Sequence, residues 1–192
     1  MLNQARPAIV MIGLFTLVLG GAYPLVVTGV AQGLFPAQAN GSLVRDDRGQ
    51  VVGSALIGQP FASAAYLHPR PSAAGDGYDA SASSGSNLGP LNPDLAARVA
   101  EEAVAIRTED GNGVIPADAV TASASGLDPD ISPAYARLQA ARIAGARGIP
   151  VEQVQSVIDA HTEGRTLGFL GQPHVNVLLT NRALDARQGS RR

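Results

Sequence analysis

Charge is absent from one end of this chain. From Pro7 to Ala31 no residue is charged, and Arg6 is the only charged residue before Arg45. At ~1.5 Å per helical residue that stretch outruns the ~30 Å hydrocarbon core of a bilayer, so the pattern predicts one transmembrane helix over 7–31. A secretory signal peptide is the competing reading, with Met1–Arg6 as its positive leader and Ala37-Gln38-Ala39 as a small-residue cleavage site. A signal's apolar region is ordinarily ~7–15 residues long, and this one is nearly twice that, which favours a retained anchor. Pro24 falls inside the span, where its missing N–H predicts a kink. Gly20, Gly21, Gly29 and Gly33 offer small faces for a neighbouring helix, although glycine is also ordinary membrane composition.

Basic residues flank the span about equally. Arg6 and the α-amino group precede it and Arg45 and Arg48 follow it, so the positive-inside rule decides little. A polar, Gly/Pro/Ser-rich region without cysteine after one N-terminal span points to a cytoplasmic N-terminus and a domain outside. The expected organisation is a tail at 1–6, the helix at 7–31, a membrane-exit segment at 32–41, a domain at 42–187 and a tail at 188–192.

Beyond the exit the pattern shortens and alternates. Ser42 to Val44 and Gln50 to Ile57 read as strands joined by the turn residues Asp46-Asp47-Arg48-Gly49, a β-hairpin. From Pro60 to Pro93, glycine, proline, serine and asparagine recur too often for a regular element, and an extended loop is expected. Pro93 and Asp94 open a helix to about Arg107, with Leu95, Val99 and Ile106 on one face, and Glu109 to Gly113 end it. Ser132-Pro133 caps a helix through Ala134 to Arg147, stopped by Gly148. Another runs from Pro150 to His161 with Val151, Val154, Ile158 and His161 along one stripe. Val175 to Leu179 reads as a short strand, and Thr180 as the cap of a last turn through Asp185. The fold class expected is mixed α+β, an extracytoplasmic domain on a single N-terminal transmembrane helix.

Composition narrows the chemistry. Charged residues make up 16% of the chain, cysteine is absent, and every basic residue other than histidine is arginine. Without lysine there is no P-loop lysine, no Schiff base and no phosphorylation loop of a P-type ATPase. A net charge of −2 with no tryptophan gives no basic, aromatic-lined surface for nucleic acid. A Ser-His-Asp hydrolase has serines, three histidines, and Asp128 or Asp159 as orienting group, but no Gly-x-Ser-x-Gly elbow. His68, His161 and His174 lack metal-ligand spacing. Asp128-Pro129-Asp130 suits helix capping better than a cation. Ser84 to Gly89 could form an anion nest, without the frame of a nucleotide site.

The order of the motifs resembles a known family. Tyr23-Pro24-Leu25, Gln32, Phe35-Pro36 and Gln38-Ala39-Asn40-Gly41-Ser42-Leu43 come first, then Gly53 to Gln59, Arg70-Pro71-Ser72-Ala73, Ser84-Gly85-Ser86-Asn87-Leu88 and Asn92-Pro93. Val120 to Asp128, Ile131-Ser132-Pro133, Gly171-Gln172-Pro173, Val175-Asn176-Val177 and Ala183-Leu184-Asp185 complete the series. In this order they resemble the C subunit of bacterial Kdp-type potassium-transporting ATPases. Leu67, Thr180 and Arg182 depart from the usual residues there.

The resemblance implies a non-catalytic, single-pass subunit of the cell inner membrane. Its implied partners are a potassium-path subunit, a P-type ATPase subunit and a small single-helix subunit, besides the lipid bilayer. It implies no cofactor of its own; ATP enters through the ATPase subunit, whose ATP affinity the family is described as raising as a catalytic chaperone. Candidate packing residues are Gly20, Gly21, Pro24, Gly29 and Gly33, and candidate docking residues are Arg70, Ser72 and Asn87. For the last three, internal pinning of the loop is the alternative role. The rival functions are an anchored or secreted serine hydrolase and a soluble binding protein released after Ala39.

Overall fold

The computed structural model describes residues 2–189, and the chain divides between Val52 and Gly53 into two units. In the first unit, α1 (Leu2–Leu17), a π-helical turn (Val18–Ala22) and α2 (Tyr23–Leu34) follow one another without a break. Gln4–Leu34 is long and apolar enough to cross a membrane. Pro24 cannot bond the Gly20 carbonyl, and its ring crowds that oxygen. The chain responds by widening the turn before it: the Tyr23 N–H reaches back to the Val18 carbonyl. At Pro24, where a kink is expected, the helix carries a π turn just before the proline. No described side chain on this helix is buried.

Phe35 leaves helical conformation at φ −134°, ψ 57°, and Pro36 opens the short α3 (Pro36–Ala39). Gln32 and Asn40 exchange amide hydrogen bonds of 3.3 and 3.2 Å across that corner, and Asn40 Nδ2 also donates to the Pro36 carbonyl. The hairpin follows as β1 (Leu43–Arg45) and β2 (Val51–Ser54). Asp46 Oδ1 accepts from the N–H groups of Arg48 and Gln50, while Gly49 takes φ +78°. The second strand ends earlier than expected because Ser54 Oγ accepts from the Leu56 N–H and turns the chain.

The second unit is α+β. After an irregular stretch with one 3-10 turn at Ala80–Ala82 comes α4 (Pro93–Asp110), capped by Asn92 and ended by Gly111 at φ +89°. Then follow α5 (Ala117–Val120), β3 (Asp130–Ile131), α6 (Pro133–Leu138), α7 (Ala140–Arg147), α8 (Val151–Ala160), β4 (Thr162–Glu163), β5 (His174–Asn176) and α9 (Val177–Gly189). The strands form one antiparallel sheet in the order β3-β5-β4, with Val175 opposite both Ile131 and Thr162. Ser132 caps α6 through the Tyr135 N–H, and Gly148 ends α7 in the left-handed region. Ile131, Tyr135, Ile143, Val154, Ile158, Val175 and Leu184 make up the centre of the core.

Two expectations are corrected. The helix expected over 134–147 is two helices separated at Gln139. The strand expected over Val175–Leu179 stops at Asn176, whose Oδ1 accepts from the Leu179 N–H and caps α9 in place of Thr180. Thr180 lies inside that helix, fully buried, donating to the Asn176 carbonyl. A short apolar run fits a strand and one face of a helix equally well, and here an asparagine cap decides for the helix. Residues 190–192 of the expected C-terminal tail lie outside the described residues, as does Met1 of the N-terminal one.

Candidate functional site

The irregular stretch after Pro60 is held by side chains from elsewhere in the second unit. Buried Asn181 clamps Leu67 from both sides, accepting from its N–H at 2.8 Å and donating to its carbonyl at 3.0 Å. Gln139, fully buried where the helix is interrupted, does the same for His68 at 2.7 and 3.1 Å. Arg142 donates to the carbonyls of Ala64 and Tyr66, to Gln139 Oε1 and, at 2.7 Å, to Asp110. The side chains of that ion pair are 8% and 2% exposed. Arg147 donates to the Ala65 carbonyl and to Asp185, and its guanidinium lies 5.0 Å from the Tyr66 ring centre. Burial first, and then the Asp185 charge, push the Tyr66 hydroxyl above its usual range. A segment without secondary structure must still satisfy its backbone groups, and four side chains from α6–α9 and their junctions do so.

The three docking candidates stand in different settings. Arg70 pairs with Asp128 at 2.7 Å and donates to the Thr121 and Ala122 carbonyls. Ser72 donates to the Gly126 carbonyl at 2.6 Å and accepts from the N–H groups of Ala74 and Tyr78. Gly126 meets the loop at φ +67°, with space so short that a Cβ would stand 2.6 Å from the Ala74 nitrogen. Asn87 is exposed in a left-handed conformation at φ +53°. Arg70 and Ser72 thus hold the loop to the Thr121–Asp128 segment, and Asn87 faces solvent beyond it. In the helix, a Cβ on Gly20, Gly21, Gly29 or Gly33 would meet nothing within 4 Å among the described residues.

A cleft of about 430 Å³ opens between the loop and α4, lined among others by Phe61, His68, Tyr78, Glu102, Glu109 and Tyr135. Burial, then Glu101, raises the Glu102 carboxyl above its usual range. Burial, then Asp110, raises the Tyr135 hydroxyl, which therefore stays protonated. On another face His174 lies 3.7 Å from both Asp130 and Glu163, carried by the two strands flanking its own. Asp130 is raised by burial, against the pull of His174.

The histidines and the serine-rich nest candidate have other partners among the described residues. His68 Nε2 contacts the Ser63 carbonyl and Arg142, His161 Nδ1 the Val157 carbonyl, and His174 Nδ1 the Gln172 carbonyl, so no histidine contacts a serine hydroxyl. Ser83 Oγ and the Ser84 N–H bond the Ser125 carbonyl, and Gly85 packs against Ala124, which uses the proposed nest to close the loop. Asp128 pairs with Arg70 and accepts from the Asp130 N–H, so Asp128-Pro129-Asp130 is neither the cap of α6 nor an open cation ligand set.

Sequence reasoning missed Gln139, Arg142, Arg147, Asn181, Glu102 and Tyr135. For Gln139, Arg142, Arg147 and Asn181 the one signal is a polar or charged residue where a helical stripe should be apolar, as Arg147 is after Ile143 and Ala144.

The KdpC family, described as K+-transporting ATPase, c chain, matches residues 5–186. The potassium-transporting ATPase KdpC subunit of Caulobacter vibrioides is 66% identical over 187 residues, covering 97% of this chain and 95% of its own. The KdpC subunit of Beijerinckia indica is 64% identical over 189 residues, covering 97% and 95%. That of Mycobacterium bovis is 56% identical over 188 residues, covering 96% and 99%.

Proposed function

The chain belongs to the KdpC family, the c chain of the K+-transporting ATPase, and on that premise we propose that it is a non-catalytic subunit, anchored by one helix and docked on its partners outside the cytoplasm. It is a subunit of the potassium-transporting ATPase, and partner ATPase subunits are implied with it. The finer assignments are ours: a potassium-path subunit under the polar domain, with the P-type ATPase subunit and a small single-helix subunit completing the complex in the inner membrane. The N-terminus is cytoplasmic and the domain periplasmic in this reading.

The observation that carries it is the contrast between an apolar helix with no buried side chain and a domain with no assembled catalytic constellation among the described residues. A helix built that way is completed by lipid and by other helices, against which Gly20, Gly21, Gly29 and Gly33 and the π turn before Pro24 present small side chains. In the domain, Arg70 and Ser72 set the shape of the loop and Asn87 is its exposed docking residue. Such a subunit contributes binding energy, and one helix cannot enclose an ion path. The catalytic-chaperone role is consistent with the family. From outside the membrane it requires that this subunit bind two states of the pump with different affinity, because ATP affinity and subunit affinity are then reciprocally coupled.

Deleting residues 1–34 tests the anchor. The remaining domain is expected to be soluble and to be lost from the purified pump. Co-purification at full yield would overturn the proposal.

A further inference from the structure

We propose that the π turn at Val18–Ala22 is a docking point inside the membrane, where the Leu19 carbonyl accepts a hydrogen bond from a hydroxyl or carboxamide side chain on a transmembrane helix of a partner subunit. This rests on the anchored reading above and supplies the chemistry of one helix contact.

An α-helical carbonyl takes the N–H four residues on, and a π-helical one the N–H five residues on. For Leu19 those positions are Tyr23 and Pro24. The Tyr23 N–H goes to the Val18 carbonyl, and Pro24 has no N–H. Leu19 therefore holds an acceptor that neither register fills. The Gly20 carbonyl loses its α-helical donor to the same proline and is left with the Leu25 N–H, five residues on. The chain's own side chains do not make up the loss. Thr16, Tyr23 and Thr28 carry the hydroxyls of the uncharged run, and among the described residues none of them is bonded to this turn.

Depth decides what fills the gap. Leu19 stands at the midpoint of Gln4–Leu34, ~22 Å along the axis from either end. Hydrocarbon offers no donor at that depth, so an open carbonyl there is costly and is met by a neighbouring helix. The turn admits one. Gly20 and Gly21 have no side chain and Ala22 only a methyl, and a Cβ on either glycine would meet nothing within 4 Å among the described residues. Small residues of this kind let two helix backbones approach closely enough for a short polar side chain to bond across. An ionised head costs far more to bring to the bilayer centre, which leaves the neutral donors, hydroxyl and carboxamide.

The test uses the full chain in the assembled pump. A benzophenone amino acid replacing exposed Tyr23, an aromatic for an aromatic, should link to a partner-subunit transmembrane peptide with a serine, threonine, asparagine or glutamine within one helical turn of the linked residue. Pro24→Ala restores the missing N–H, closes the α-helical register and keeps both glycines; alanine is the better helix former, so the span still inserts. This variant should lower the fraction of the subunit surviving a detergent wash about threefold, the worth of one hydrogen bond between helices in a membrane. Replacing the partner's donor with an apolar side chain of the same shape should lower it by the same factor, and the double variant by no more than either alone. A link only to lipid or to a second copy, no link at all, a linked helix without such a donor, full retention of Pro24→Ala, or two losses that multiply in the double variant would each overturn the assignment. Absence of the unsubstituted chain from the membrane fraction would instead overturn the anchored reading on which it rests.

Discussion

The helix Leu2–Leu34 and the stretch from Pro60 to Asn92 invert the usual relation between regularity and order. The helix satisfies its backbone internally except at the turn before Pro24, yet buries no described side chain, with Leu17 73% and Leu25 74% exposed. The stretch from Pro60 has one turn of 3-10 helix, yet Leu67 and Ala74 within it are fully buried. Regular structure settles where hydrogen bonds go within a segment and says nothing of what covers its side chains. An irregular segment must borrow partners, and borrowing fixes it to the rest of the domain. One region is all but complete in its backbone and open on its surface; the other is open in its backbone and complete through neighbours.

Substitutions that attack the borrowed partners break this contrast first. Asp110→Ala leaves the Arg142 guanidinium buried without its carboxylate, and the second unit should lose about 3–5 kcal/mol in urea unfolding of the full chain. Asn181→Ala strips both backbone groups of Leu67, and about 2–4 kcal/mol should be lost in the same measurement. A value near zero for either would mean that the loop is held by packing alone.

A smaller effect of opposite sign is expected at Glu102. Its folded pKa lies above the usual 4.5, so its contribution is complete below that value and is lost as pH rises through the folded pKa. Glu102→Gln should match the parent chain in acid and be more stable at pH 7, by less than ~1 kcal/mol after solvent screening. Thermal scans at the two pH values check the sign. Gly29→Ile with Gly33→Ile should leave unfolding of the second unit unchanged, because a Cβ at either position meets nothing within 4 Å among the described residues. The same pair should weaken retention of the subunit in the pump, measured as the fraction surviving a detergent wash.

The helix was legible because an uncharged run is a long, one-dimensional signal, and the Pro93 start, the Ser132 cap and the Gly148 stop because they are local chemistry; the Asn92 cap of α4 came only with the structure. The interruption at Gln139 was not legible, since its side chain is committed to His68, far away in the sequence. Val177-Leu178-Leu179 misled for the opposite reason: the run is local, but which period it serves depends on the Asn176 cap. At the candidate site, Arg70 and Ser72 were found through motif resemblance, and their pairing with Asp128 and Gly126 needed the fold. Glu102 and Tyr135 belong to no motif and become visible only when the loop closes a cleft over them.

The account's central claim is that an anchored helix places the polar domain outside the cytoplasm. A full-length fusion with a C-terminal reporter active only outside the cytoplasm tests it most directly, alongside a matched fusion to a reporter active only inside. The extracytoplasmic reporter should be active and the cytoplasmic one silent. The reverse pattern would contradict the account and return the domain to the side where ATP is bound.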